Sequence, residues 1–386
     1  KIKSMGLVTT CGIAFFSGVS IYKGNEKFYS NIAMPTVRLL PPETAHRLAI
    51  LMLKHKLFGN QIYQDPECLS TKFLNMNLSN PIGMAAGFDK QGEAIKGLYK
   101  IGFGFVEIGS VTPLPQPGNP KPRIFRLNED KAIINRYGFN SDGHDVVYNR
   151  IKELRETEEF QGIIGINLGK NKLSLDPIDD YVKGVKQFSH LADYLVINIS
   201  SPNTPGLRNM QCKNTLTTLL RAVIEARHSL PEHDRKPILL KLAPDLKLDD
   251  VKEIVEVIEI KECHVDGLII SNTTIDRCST LKSVNSKQLG GLSGLPLCEK
   301  STKMIANVYQ LTQGKIPIIG VGGIFSGEDA FNKIQAGASC VQMYTSFIYH
   351  GPPLIIRIKK DLNKLLKDNG YSSVSEAVGK GAEKFL

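Results

Sequence analysis

Runs of apolar and polar positions divide the chain into three parts before any motif is considered. Ser4 to Tyr22 run nineteen positions without a charge, between Lys1 and Lys3 on one side and Lys23 on the other. That is just long enough to span a bilayer as a helix, so 1–24 is expected to be a single uncleaved anchor. A signal-peptide core competes with this reading, although no clear small-residue cleavage site precedes Lys23. Because the chain does not begin with Met, there is room for an upstream presequence. From Asn25 the pattern turns amphipathic in two segments, Phe28 to Leu39 and Pro42 to Leu57. In the second, Ala45, Leu48, Ala49, Leu51, Met52, Leu53 and Leu57 form a wide apolar face opposite Glu43, Arg47 and Lys54. Such a face needs a cover, either the main domain or a membrane surface. Residues 25–63 are therefore read as one helical unit.

Beyond Pro66, apolar runs of strand length alternate with helical patterns, which signals βαβ units and a parallel sheet. Eight strands are predicted: Ile82 to Met84, Phe105 to Ile108, Ile163 to Asn167, Tyr194 to Ile199, Ile238 to Leu242, Gly267 to Ser271, Ile316 to Val321 and Cys340 to Met343. Helical stretches such as Ala94 to Tyr99, Val146 to Leu154, Leu216 to Leu230, Val251 to Ile260 and Ala330 to Ala336 separate them. This predicts an α/β fold, a (β/α)8 TIM-type barrel over 64–386 with an N-terminal helical extension and a membrane anchor helix. A doubly wound sheet is the runner-up, but no GxGxxG opens a helix after the first strand. Two places break the rhythm. A Pro-rich span over 113–122 leads to Ile124-Phe125-Arg126 and Ala132-Ile133-Ile134, read as an inserted hairpin. The long loop Cys278 to Leu297 holds Gly290-Gly291-Leu292-Ser293-Gly294.

Composition narrows the chemistry. The 48 Lys+Arg against 38 Asp+Glu give +10, a balance that favours anionic surfaces, but the basic residues are scattered and read as a solvated face rather than a nucleic-acid site. Seven widely spaced cysteines, without a CxxC pair or a His at ligand spacing, read as reduced thiols in an intracellular compartment, with no metal.

Active sites of such barrels stand at the carboxyl ends of the strands. There the sequence offers Ala85-Ala86-Gly87-Phe88-Asp89-Lys90, Gly109-Ser110, Asn167-Leu168-Gly169, Asn198 to Asn203, Lys241, Ser271-Asn272-Thr273-Thr274, Gly322-Gly323 and Tyr344-Thr345. The set contains amides, hydroxyls and two lysines, with no His and no carboxylate pair, which argues against metal hydrolysis and glycosidase chemistry. The stretch Asn198 to Gly206 is stiffened by Pro202 and Pro205 and released by Gly206. Taken alone it could be a surface turn; at a strand end it aims amides and hydroxyls at a planar polar ligand. Gly322-Gly323 and Tyr344-Thr345 stand where barrels cradle phosphate. Lys241 is expected to meet an anionic ligand or a carboxylate, a structural ion pair being the plain alternative. Lys90 could equally be a solvated lysine at a helix start.

These residues resemble the dihydroorotate dehydrogenases, specifically the membrane-associated, quinone-reducing class 2. The resemblance runs from about Phe28 to Gly379 and rests on Ala85 to Lys90, Ile134-Asn135-Arg136-Tyr137-Gly138-Phe139-Asn140, Asn198 to Arg208 and Gly320-Val321-Gly322-Gly323. It implies FMN in the barrel, ubiquinone as second substrate, and residence in the mitochondrial inner membrane among its lipids, as a monomer. Ser201 is implied as the base that removes a proton from dihydroorotate, where class 1 relatives have Cys. Lys90, Asn135, Tyr137, Gly138, Phe139, Asn198, Asn203, Asn272 and Thr273 would bind dihydroorotate and its product orotate. FMN would lie against Ala85, Ala86, Gly87, Gly109, Ser110, Asn167, Asn198, Lys241, Ser271, Ser293, Gly294, Gly322, Gly323, Tyr344 and Thr345. Arg38, His46, Arg126 and Tyr344 would line the quinone route. Arg38 departs from the Gln of vertebrate members, and Ser271 replaces the more familiar Thr. The anchor is expected to supply membrane residence only, and 28–57 to form the apolar entrance for a quinone tail while also covering part of the main domain. A flavin-dependent tRNA dihydrouridine synthase is the rival enzyme reading, but it would need Cys at position 201 and a further RNA-binding domain.

Overall fold

The computed structural model describes residues 2–59, 63–157 and 159–386. Lys1, one of the charges flanking the apolar run, lies outside the described residues, as do residues 60–62 at the end of the helical unit and Glu158.

The strands in chain order are β1 (Thr71–Phe73), β2 (Met76–Leu78), β3 (Ile82–Met84), β4 (Phe105–Val111), β5 (Ile124–Leu127), β6 (Ala132–Asn135), β7 (Ile164–Leu168), β8 (Tyr194–Asn198), β9 (Ile238–Leu242), β10 (Gly267–Ile270), β11 (Gly291–Gly294), β12 (Ile318–Val321) and β13 (Ala338–Met343). Eight of them, β3, β4, β7, β8, β9, β10, β12 and β13, close into a parallel barrel in that circular order. Buried on both faces, they read as continuous apolar runs rather than alternating ones. Proline marks several entries: the carbonyls of Pro81, Pro237 and Pro317 accept from Val341, Leu195 and Leu268 of neighbouring strands, while no N–H of theirs is left unpaired at the rim. Pro317 also explains why β12 starts at Ile318, two residues later than its apolar run suggests. Helices pack outside, among them His144–Glu156, Pro177–Phe188, Lys213–His228, Leu248–Glu259, Cys298–Leu311, Gly327–Ala336 and Pro353–Asp368. At Pro177 the start is set by Asp176, whose carboxylate accepts from the N–H groups of Ile178 and Asp179 at 3.0 and 3.1 Å.

Two small sheets were not foreseen in full. β1 and β2 form an antiparallel hairpin whose Phe73, Met76 and Leu78 join the apolar filling of the barrel interior; three-residue strands carry too little periodicity to be read. The expected hairpin is β5–β6, and it gains a third strand: β11 pairs antiparallel with β6, Leu292 opposite Ile134. The long loop after β10 is thereby corrected to a loop that contains a strand, hidden because two of its four residues are glycine and give no strand pattern.

The N-terminal part is helical. α1 (Ile2–Tyr22) contains an 18-residue stretch from Met5 to Tyr22 long and apolar enough to cross a membrane. Residues 26–38 are helical but not evenly so, with a π turn over Tyr29–Ala33. Pro35 has no N–H to give the carbonyl four residues back, and the wider turn precedes it. α2 (Pro42–Lys54) buries Leu53 in the barrel's outer core, worth about 2 kcal/mol. Its end sits directly on Gly97, where an added Cβ would lie 2.1 Å from the Leu53 carbonyl oxygen. Gly97→Ala would therefore push the extension off the barrel. Leu48 and Leu51 on α2 remain exposed.

Candidate active site

Alternate side chains of a barrel strand point inward. Phe105, Tyr194, Val196, Leu239, Ile269, Ile319 and Cys340 fill the lower interior together with the β1–β2 residues. The next inward positions are polar: Glu107, Asn167, Asn198, Lys241 and Gln342. They are tied to one another. Glu107, fully buried, accepts from Asn167 Nδ2 at 2.8 Å, Gln342 Nε2 at 2.7 Å and Lys241 Nζ at 3.4 Å. Such contacts offset the cost of taking two charges out of water. Asn198 Nδ2 donates to Ser110 Oγ and Asn167 Oδ1 at 2.8 and 3.0 Å. Asn272 Nδ2 reaches Asn198 Oδ1 at 3.2 Å and Ser200 Oγ at 3.0 Å.

Above this layer the loop after β8 carries Ser201, itself buried. Its Oγ accepts from the Asn203 N–H at 3.3 Å. Asn203 Nδ2 donates to Asn135 Oδ1 at 3.1 Å, linking the loop to the inserted sheet. Arg208 braces the same loop from behind: Nε donates to Ser200 O at 3.0 Å, Nη2 to Thr273 O at 2.8 Å, and Nη1 to Asp245 Oδ2 at 2.7 Å. Although burial opposes it, hydrogen bonds from Lys300, Thr274, Ile275 and Arg208 hold the Asp245 carboxyl below its ordinary value. Phe139 in the facing loop is held left-handed at φ +54, with its carbonyl accepting from Gln116 Nε2 at 2.8 Å. A bulky residue there is strained and persists because its surroundings fix it.

These groups open into one cavity of about 320 Å³ that continues under the N-terminal helices. On that side the lining is apolar: Ala33, Val37, Leu48, Ala49, Met52 and Ile348. Arg126 Nη1 donates to the carbonyls of Arg38 and Leu40 at 2.9 and 2.8 Å, and Arg38 Nη1 to Tyr349 O at 3.1 Å. Where the two sides meet stand His46, Tyr137 and Lys90. Burial and nearby Lys90 push His46 down to about 3 despite its bond to Phe88, so the ring is neutral. A carbonyl cannot donate, so Nε2–H donates to Phe88 O at 2.7 Å, and Nδ1 is left to accept from Tyr137 OH at 3.4 Å. Lys90 is no solvated helix-start lysine: Nζ donates to Gly87 O at 2.7 Å and lies 3.9 Å from the Tyr137 ring centre.

At the third side, Gly322 and Gly323 adopt φ of +116 and +73. A Cβ on Gly323 would come within 2.5 Å of Cys298 Cα, so only glycine lets this turn pack against the start of the helix Cys298–Leu311. Ser293 Oγ and Thr345 Oγ1 are 2.8 Å apart beside it. Among the described residues, the buried Gln342 Oε1, Ser346 Oγ and Asn140 Oδ1 lack partners, and all three residues line the cavity. Unpaired buried polar atoms at a cavity call for a ligand that supplies the bonds.

Every residue expected at the site lies on this cavity except Asn167. It was expected at a strand end, but β7 continues to Leu168, which places Asn167 inside the barrel with its amide on Glu107. Lys241 faces the cavity and also has the carboxylate partner considered as its alternative. Glu107 and Gln342 were missed. The available signal was a charge or amide within an otherwise apolar buried strand, two residues before Gly109 and Tyr344 respectively. Thr204 was seen only as loop, yet its hydroxyl is buried without a partner among the described residues.

The dihydroorotate dehydrogenase profile matches residues 68–366. A mouse protein named dihydroorotate dehydrogenase (quinone), mitochondrial, is 50% identical over 374 residues, 95% of this chain and 94% of its own. The chain belongs to the dihydroorotate dehydrogenase family. A member from Azorhizobium caulinodans, named dihydroorotate dehydrogenase (quinone), is 48% identical over 90% of this chain and 98% of its own. Among solved structures, the dihydroorotate dehydrogenase of Eimeria tenella in complex with ferulenol matches with a TM-score of 0.85 at 40% identity, over 89% of this chain and 98% of that one. The dihydroorotate dehydrogenases are flavin-dependent oxidoreductases, which agrees with a cavity rich in amides and hydroxyls.

Proposed function

We propose that this chain oxidises dihydroorotate to orotate, a step of pyrimidine synthesis, with FMN as hydride acceptor and ubiquinone as final electron acceptor. The observation that carries the reading is a single cavity with two unlike walls, one of amides and hydroxyls, the other apolar. A planar, polar pyrimidine suits the first and a quinone with its tail the second. α1 and the mitochondrial relatives support an anchor in the mitochondrial inner membrane over 1–24, followed by the quinone-entrance unit 25–63 and the barrel 64–386.

The residues present fit FMN. Gly322-Gly323 with Ser293, Gly294, Thr345 and the unpartnered Ser346 hydroxyl suit its phosphate. The backbone of Ala85, Ala86, Gly87 and Gly109, with Ser110, Ser271, Lys241 and Tyr344, suits its ring, and Asn167 acts from beneath. Bound FMN would supply a two-electron acceptor that takes hydride from carbon and passes electrons on to quinone.

The remaining chemistry belongs to the chain. Lys90, Asn135, Asn203, Asn272 and Thr273 would hold the substrate's ring edge and carboxylate, and Tyr137, Gly138, Phe139 and Asn198 complete that pocket. Amides present donors and acceptors together, so each edge-on group of the pyrimidine finds a partner. Ser201 Oγ would take the proton from substrate carbon, its hydroxyl oriented by the Asn203 N–H. A serine hydroxyl is a poor base unaided, and the unpartnered Thr204 hydroxyl is available to carry the proton onward. Lys241 would offset negative charge gathering on the cofactor side, steadied by Glu107. Arg38, His46, Arg126 and Tyr344 would guide quinone along the other wall.

The test is optical. Purified protein should be yellow, lose its colour under argon on addition of dihydroorotate, and regain it with a ubiquinone analogue. A colourless protein, or a yellow one unaffected by dihydroorotate, would overturn the reading.

A further inference from the structure

The helix of the apolar wall reaches the polar pocket through a chain of direct contacts. α2 carries Glu43 and His46 three residues apart, hence on one face. Glu43 Oε1 accepts from Arg123 Nη2 at 2.7 Å, and Arg123 is only 7% exposed. The same guanidinium stands 5.1 Å from the Tyr137 ring centre, and its Nη1 donates to the carbonyls of Pro117 and Asn119 at 2.6 and 3.0 Å. Asn119 in turn donates to the carbonyl of Asn203 at 3.2 Å. Tyr137 thus carries Lys90 and Arg123 against its ring and has His46 at its hydroxyl.

We infer that Glu43 is a positioning residue for the substrate pocket: by holding Arg123 and balancing its charge beside Tyr137, it keeps Lys90 ready for an anionic substrate. The docking of α2 and the affinity for the substrate carboxylate are thereby coupled. This rests on the assignment of Lys90 to the carboxylate made above, and it adds a role at the substrate pocket to the quinone entrance expected of the N-terminal unit.

The charges around Lys90 fix the sign of the effect. Burial and Arg123 push Lys90 down to about 7, while Glu43 and Asp89 act upward. Asp89 is committed elsewhere, accepting from the N–H groups of Glu93 and Ala94 at 2.9 and 2.7 Å. His46 is neutral, and Lys121 adds a further cation 3.6 Å from Glu43. An ammonium must be protonated to hold a carboxylate, so binding weakens as pH rises through about 7. Removing the Glu43 charge moves that loss to lower pH.

The experiment titrates the FMN-loaded parent and Glu43→Gln with orotate from pH 5.5 to 9, following the flavin spectrum. It also measures reoxidation of dithionite-reduced enzyme by a short-tailed quinone. At pH 7.5 the variant should bind orotate about tenfold more weakly, a coupling of ordinary size. Its pH profile should shift downward, quinone reoxidation should stay within about twofold of the parent, and Glu43→Asp should recover much of the affinity. Superimposable orotate profiles for parent and variant overturn the coupling alone. Equal losses in both half-reactions overturn it too, since they mark a displaced helix. A parent that binds no orotate removes the functional reading and the coupling with it.

Discussion

The two walls of the cavity are built by different physics. The polar wall is tied to a closed network beneath it: its Asn198, Asn272 and Lys241 bond one another or the interior Glu107 and Asn167 across strands far apart in sequence. It is rigid before any ligand arrives, because an unpaired buried charge or amide is costlier than any contact it could gain by moving. The apolar wall is a set of helical side chains laid on the barrel, secured by a few fixed points such as Leu53 on Gly97, Glu43 on Arg123 and Arg126 on the Arg38 carbonyl. Apolar contacts are non-directional. One wall suits a substrate that must be oriented for proton and hydride transfer, and the other suits one that only has to enter and leave.

Ser201→Ala should break the polar wall's function most severely. The side chain is small and, among the described residues, has no hydrogen-bond partner beyond the Asn203 N–H, so FMN and orotate should still bind. Reduction by dihydroorotate should slow by roughly 10² to 10⁴, the usual worth of a general base, in anaerobic stopped-flow traces. An unaltered rate would remove Ser201 from the role.

Next in size is Lys241→Ala, which leaves the buried Glu107 carboxylate with its bonds from Asn167 and Gln342 but without its counter-charge. Breaking such a pair costs roughly 3–5 kcal/mol, visible as a lower melting temperature and reduced FMN content. The double variant Lys241→Met with Glu107→Gln should recover most of the stability while the flavin's reduction potential stays below that of the parent. If the single variant melts like the parent, the network is not what stiffens this wall.

How far each wall was legible follows from the same contrast. The amides announced themselves because each interrupts or ends an apolar strand, and eight strand ends in register make a ring. Glu107 was not legible, since its meaning lies in Lys241, 134 residues away, and only inward parity in a closed barrel brings them together. Asn167 was displaced by one residue in the judged end of β7, enough to move it from wall to interior. On the apolar side the amphipathic face of α2 was plain, but Glu43 read only as part of the polar face opposite it. Its partner Arg123 sits in a Pro-rich stretch with no pattern of its own. β11 stayed hidden because glycine carries no side-chain pattern.

A smaller effect is expected from filling the apolar wall. Ala49 lines it on α2, and Ala49→Phe should slow reoxidation by a long-tailed quinone about tenfold, the scale of a modest misfit in an apolar slot. Flavin reduction by dihydroorotate should be unchanged. Parallel losses in both steps would mean that the walls do not divide the reaction between them.

The smallest effect concerns α1, expected from sequence to provide membrane residence only. Its last turn does more than that. Ile21 lines the cavity, Ser20 is buried, and Phe16 meets Phe28 edge-on at 5.9 Å. The Ser20 carbonyl accepts from the Asn25 N–H at 2.9 Å, and Gly59 packs against the Tyr22 carbonyl, where a Cβ would lie at 1.7 Å. α1 therefore ends as part of the cavity's lining. Parent and a chain starting at Lys23, both in the same detergent micelles so that membrane residence is not in play, should reduce a short-tailed quinone equally. For a long-tailed quinone the shortened chain should show a KM about fourfold higher at similar kcat, the worth of roughly one buried methylene contact. Dihydroorotate kinetics should be indifferent to the cut, because among the described residues of α1 only Ile21 lines the cavity, and it is apolar. An unchanged KM for the long tail would reduce α1 to an anchor. A raised KM for dihydroorotate would mean that the helix also steadies α2, and with it the contact from Glu43 to Arg123.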